Sequence, residues 1–153
     1  METTDNKNKI LSIALDLFSS KGYDAVGVQT LCEKSGITKP TLYYHFGNKE
    51  GVLKEVLKAN YEKLNDLLDK NAHYTPNAKV YEKDVVLTLT TVAQAYLKFA
   101  KANPKFYKIV LNATFAPDCG SLSKIAKDLN NVQFQIIEKM FKSMARIHRN
   151  MKG

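Results

Sequence analysis

Residues 31–46 read L-C-E-K-S-G-I-T-K-P-T-L-Y-Y-H-F, and the folding of this stretch decides what the rest of the chain can be. Gly36 punctuates it. Before the glycine, Val28 to Ser35 reads as a short helix, ended there because glycine takes left-handed backbone without steric cost. After it, Thr38 is placed to cap a second short helix, Lys39 to Phe46. Pro40 is tolerated in the first turn, where its missing N–H costs nothing. At about 100° per residue, Leu42 and Phe46 fall within about 40° of each other and must face a core. Tyr44, Pro40 and Thr41 then face away, with Tyr43 and His45 beside them and Thr38 and Lys39 at the tip. That outward face is too aromatic for an ordinary surface and too polar for a core. Hydroxyls, an imidazole, an ammonium and flat rings are the groups that bond phosphates and base edges and pack on thymine methyls.

Working outward, the surroundings also read as helix. The first helix spans about Asp5 to Lys21, with Ile10, Leu11, Ala14, Leu15 and Phe18 on one stripe, Thr4 or Asp5 as its cap, and Gly22 beyond its end. Gly47 closes the aromatic helix. Asn48 caps a long fourth helix reaching about Asn71, whose stripe runs from Leu53 to Leu68. Residues 71–77, N-A-H-Y-T-P-N, form a linker. A fifth helix covers about Val80 to Lys101 and is apolar on most sides from Val85 to Ala100, so it is expected to be the most buried. A sixth starts at Pro104 and runs to Phe115. After the turn A-P-D-C-G, Ser121 caps a seventh from about Leu122 to Arg149, with Leu122, Ile125, Leu129, Val132, Ile136, Met140, Phe141 and Met144 along its stripe. Strand-like alternation is absent, and the fold class is all-α.

The totals agree with such a protein and exclude others. Of 153 residues, 44% are hydrophobic and 25% charged, the proportions of an ordinary globular chain. No apolar run approaches the roughly 18–20 residues that span a bilayer, and the polar start M-E-T-T-D-N-K-N-K is not a secretory leader. Two isolated cysteines, Cys32 and Cys119, fit a reducing cytoplasm. The net charge of +8 is uneven: residues 1–75 carry ten lysines and ten acids, and residues 76–153 carry thirteen basic residues against five acids. The basic pI therefore does not by itself argue for nucleic-acid binding by the N-terminal part. An enzyme is disfavoured. His45, His73 and His148 lie on different elements, neither cysteine has an adjacent base, and there is neither metal-ligand spacing nor a glycine-rich phosphate loop. No cofactor or metal is expected.

Three pieces of sequence carry a resemblance: I-L-S-I-A-L-D-L-F-S-S-K-G-Y at 10–23, L-C-E-K-S-G-I-T-K-P-T-L-Y-Y-H-F at 31–46 and N-K-E-G-V-L at 48–53. From Ile10 to Leu53 the chain resembles the DNA-binding domain of TetR-type transcriptional regulators. The resemblance implies a three-helix helix-turn-helix head at 1–48, extending into helix four to about residue 64. It implies a helical effector-binding and dimerisation region at 72–153, apparently without the family's usual last two helices. Gln29 and Thr30 would lie on the helix that crosses the DNA backbone. Thr38, at the recognition-helix tip, with Lys39, Pro40, Thr41, Tyr43, Tyr44 and His45, would contact bases and phosphates. Lys49 matches the usual phosphate-binding lysine. Gly27 stands where the family has a Ser or Thr cap, Cys32 where it has alanine, and Gly47 where a basic residue is frequent.

By the same resemblance the later helices would enclose a small-molecule effector, with Tyr96, Phe99, Phe106, Tyr107, Phe115 and Phe134 as aromatic walls. The basic excess there favours an anionic or acyl-type effector. The expected partners are double-stranded DNA, an effector and a second copy of the chain, with pairing weaker than, or different from, that of relatives. The resulting expectation is a ligand-responsive repressor on a palindromic operator. The alternative is a ligand-carrying or protein-interaction module with a vestigial head, which the neutral head charge keeps open.

Overall fold

The computed structural model describes residues 2–77, 79–115, 121–148 and 151. Seven α-helices and no strand occur among them: α1 (Glu2–Lys21), α2 (Val28–Ser35), α3 (Lys39–Phe46), α4 (Lys49–Asn71), α5 (Leu87–Ala102), α6 (Pro104–Phe115) and α7 (Ser121–Ile147). The chain divides into two compact units. One comprises residues 1–60 and 103–129, the other 61–102 and 130–153. The helix ends follow the punctuation of the sequence closely. α1 begins earlier than expected, so Thr4 and Asp5 lie inside it and do not precede it. The turn at 116–120 with Cys119, the cap assigned to the Ser121 side chain, and Arg149 lie outside what is described.

In the first unit, α1, α2, α3 and the first half of α4 close over a small apolar core, with α6 packed on α1. Ile10, Phe18, Leu31, Leu42, Leu53 and Leu57 are fully buried, each contributing about 1.5–3 kcal/mol by leaving water. Gly36 ends α2 at φ 68°, in the left-handed region. The next N–H, that of Ile37, reaches back to the Cys32 carbonyl at 3.0 Å and satisfies an end-of-helix acceptor. Lys7 of α1 meets Glu55 of α4 at 2.6 Å, and that hydrogen bond is the main reason the Glu55 carboxyl sits below its usual range.

Gly51 serves packing. A β-carbon there would stand 1.8 Å from the Phe46 carbonyl oxygen, so the end of α3 and the first turn of α4 touch backbone to backbone. Asn48 caps α4 by accepting from the Gly51 N–H at 2.8 Å, as its place before the helix predicts.

The second unit contains the end of α4, the linker, α5 and most of α7. α5 is entered through a π-helical turn, Glu82–Val86. Within it the Asp84 side chain is wholly buried yet accepts from the Tyr74 hydroxyl at 2.8 Å, the Asn77 N–H at 2.9 Å, His148 Nε2 at 2.7 Å and the Val85 N–H. Burial alone would raise the Asp84 pKa. Those hydrogen bonds outweigh it and hold the carboxyl well below the usual range. Burial, and then the Asp84 hydrogen bond, push the Tyr74 phenol up to about 12.

α5 corrects an expectation. It is not the most buried helix. Thr88, Val92, Ala95 and Phe99 form its covered face, while Leu87 and Leu97 are 59% and 71% exposed. An apolar circumference shows what a helix could bury, and here only one side of it is covered. The stripe of α7 is likewise divided: Ile125, Met140 and Met144 are buried, but Val132 and Phe141 are exposed.

Candidate nucleic-acid interface

The interface is built on α3. Thr38 holds extended backbone at φ −90°, ψ 160° and accepts from the Thr41 N–H at 3.4 Å, while the Thr38 and Thr41 hydroxyls lie 2.9 Å apart. Leu42 and Phe46 are buried and anchor the helix. Tyr44 is 85% exposed and Tyr43 46%. Lys39 and Pro40 are exposed, and Thr41 and His45 half-buried. The His45 ring is edged between Tyr44, at 5.2 Å, and Phe46, at 6.0 Å. On α3, Lys39, Pro40, Tyr43 and Tyr44 are thus exposed while Leu42 and Phe46, an aliphatic and an aromatic anchor, are buried.

Gln29 and Thr30 lie on α2. Gln29 is exposed, but its amide donates to Glu33 one turn later at 2.9 Å, so a DNA contact by that amide must compete with a local bond. α2 starts at Gly27 with no side-chain cap. Lys49 opens α4 and reaches backward. Its ammonium donates to the Tyr23 carbonyl at 3.1 Å and sits 4.2 Å from the centre of the Tyr23 ring. The sequence does not point to Tyr23 as the partner of Lys49. The G-Y pair at 22–23 was the nearest signal, since Gly22 turns the chain at φ 86° directly before it.

The six aromatic residues expected to wall an effector do not lie together in one unit. Phe106, Tyr107 and Phe115 belong to the first unit, Tyr96, Phe99 and Phe134 to the second. Phe106 and Phe99 are buried, Tyr107 is half-buried, and the Tyr96 hydroxyl donates to Gln133 at 3.1 Å. Phe115 and Phe134 are 81% and 73% exposed. Within the second unit a cavity of about 270 Å³ has other walls: Ala72, His73, Tyr74, Ile136, Lys139 and Met140 among them. Among the described residues no group of three or more His, Cys, Asp or Glu side chains could hold a metal, and no helix is long and apolar enough to cross a membrane.

Comparison with known proteins bears on this geometry directly. Residues 10–56 match the profile of the bacterial regulatory proteins of the tetR family. The biofilm operon icaADBC negative transcriptional regulator IcaR of Staphylococcus aureus (strain Newman) is 35% identical over 65 residues, a match spanning 42% of this chain and 35% of the relative. The fold is similar to that of solved regulators. FadR of Bacillus subtilis, in complex with stearoyl-CoA, has a TM-score of 0.70 at 14% identity, over 90% of this chain and 70% of that one. PfmR of Thermus thermophilus has a TM-score of 0.67 at 22% identity, over 93% and 72%. All three are named as transcriptional regulators. Helices α1 to α3 and the start of α4 span the residues that match the profile of the tetR family of bacterial regulatory proteins.

Proposed function

We propose that this chain is a ligand-responsive transcriptional repressor. The single observation that carries the reading is the division of α3: two buried anchors behind a face of exposed hydroxyls, rings and an ammonium. A helix of this kind fits the major groove, where its side chains read base edges while Lys39 and Lys49 meet phosphates. One such helix reads only a few base pairs, so two copies on a palindromic site supply useful specificity. The negative regulator IcaR, similar over the head, supports repression as the outcome.

Effector control is the second half of the proposal. A small molecule that binds the DNA-incompetent state more tightly shifts the protein off its operator. The basic excess of residues 76–153 favours an anionic amphiphile, and FadR in complex with stearoyl-CoA makes acyl-CoA the first class to test.

Selection from random duplexes with the full chain tests the reading. Recovery of an inverted repeat, bound with a steep salt dependence that weakens in Tyr43→Ala and Lys49→Ala, is the expected result. Binding that is independent of sequence and unaffected by either substitution would reject it. Release of the selected duplex by an acyl-CoA, but not by a cationic amphiphile, is expected for the effector half.

A further inference from the structure

Lys49 occupies the first turn of α4, where the helix dipole and the unpaired N–H groups repel a cation. An ordinary lysine there would swing into water. This one turns back across 26 residues of sequence to the Tyr23 carbonyl, which also accepts from the Val26 N–H at 3.2 Å. The same ammonium lies over the Tyr23 ring, 4.2 Å from its centre, in the range where the negative face of the ring attracts it. The ring is itself held: Phe18, 1% exposed in the core, meets it edge-on at 5.3 Å. Burial first, then Glu50 and Asp24, raise the Tyr23 pKa, so the phenol stays neutral and the attraction is that of a ring and not of a phenolate.

We propose that Tyr23 is a positioning residue for DNA binding, whose ring and carbonyl hold the Lys49 ammonium where it meets a backbone phosphate. An ammonium has three N–H donors. One is used on the carbonyl and the ring lies beside the ammonium, which leaves donor capacity for a phosphate oxygen. A lysine already held loses less side-chain freedom on binding than a free one, and that difference appears as affinity. The inference rests on the reading of Lys49 as a phosphate contact.

The test is a double-mutant cycle on duplex binding by the full chain, read as affinity and as its salt dependence. Tyr23→Leu removes the ring but keeps apolar volume beside Phe18. It is expected to weaken binding about three- to fivefold, the equivalent of a cation–π contact of roughly 0.5–1 kcal/mol. Lys49→Ala is expected to weaken it more and to make the slope of log affinity against log salt shallower by about one per head. In the Lys49→Ala background Tyr23→Leu should cost nothing further, and Tyr23→Phe, which keeps the ring, should recover most of what Tyr23→Leu loses. A merely structural role would lower the unfolding midpoint equally in both backgrounds and leave the cycle additive. If Tyr23→Leu does not fold, Tyr23→Met replaces it, and an upfield ring-current shift of the Lys49 ε-protons in the wild type reports the contact directly. Additive losses, or no such shift, would overturn the inference alone. A wild-type chain that binds no duplex would overturn the DNA-binding reading and this inference together.

Discussion

The head and the second unit use polar side chains in opposite ways. In the head the large buried side chains are hydrocarbon, with the small Ser19 and Ser35 also buried, and the tyrosine hydroxyls, the His45 imidazole and the Lys39 ammonium stand outside them on α3. In the second unit a carboxylate is inside: Asp84 is wholly buried, tied to Tyr74, Asn77 and His148, while Leu87, Leu97 and Phe134 stand in solvent. The difference shows where each unit gets its definition. The head is defined mainly by apolar packing and leaves the charged and aromatic polar groups of α3 facing outward. The second unit spends a buried charge on joining three segments of its own chain, a use that demands every partner be present.

The contrast is sharpest between neighbours on α3. Leu42→Ala removes a fully buried anchor and is expected to cost about 2–5 kcal/mol of stability in urea unfolding. A cost under about 1 kcal/mol would mean that the head core does not depend on α3. The next effect belongs to the second unit. Asp84→Asn should lower the unfolding midpoint clearly at pH 7. The folded pKa of Asp84 is depressed, so its stabilisation is present above the unfolded value of about 3.9 and is lost as pH falls below that toward the folded value. Melting curves at pH 7, 5 and 3 should therefore show a gap between variant and wild type that holds to about pH 5 and narrows at pH 3. A gap independent of pH would reject the buried carboxylate.

Tyr44→Ala is the counterpart to Leu42→Ala. With the ring 85% exposed, stability should change by no more than about 0.5 kcal/mol. Duplex affinity should fall about tenfold, or roughly 1.4 kcal/mol. Loss of fold together with binding would erase the proposed separation of anchor from reading face. The smallest effect is a gain. Gly27 precedes α2 in extended backbone, with nothing within 4 Å of a built β-carbon and no capping bond. Gly27→Ser should stabilise the head by a few tenths of a kcal/mol, measured as a higher urea midpoint.

Much of the head was legible because its signals are local. Gly36, Thr38 and Gly47 bracket α3 within a dozen residues, and the helical period alone put Leu42 and Phe46 inside. The missed features depend on contacts distant in sequence. Lys49 and Tyr23 are 26 positions apart, and Asp84 and His148 are 64 apart. No periodicity announces either pair. The π-helical entry to α5 was illegible for a related reason: Asp84 reads as a polar residue near a helix start until its partners are known. Hydropathy records only the capacity of α5 to be covered, so its expected burial exceeds what the structure shows. The expected aromatic pocket had the same weakness, since residue type does not fix the direction of Phe115 or Phe134.

Gly51 has a mechanical consequence. Because the Phe46 carbonyl lies where a β-carbon of Gly51 would be, no side chain cushions the joint between α3 and α4. A joint without a cushion has no play. Any tilt of the first turns of α4 is passed directly to α3, and a methyl group at residue 51 would act as a shim, setting α3 at a new angle.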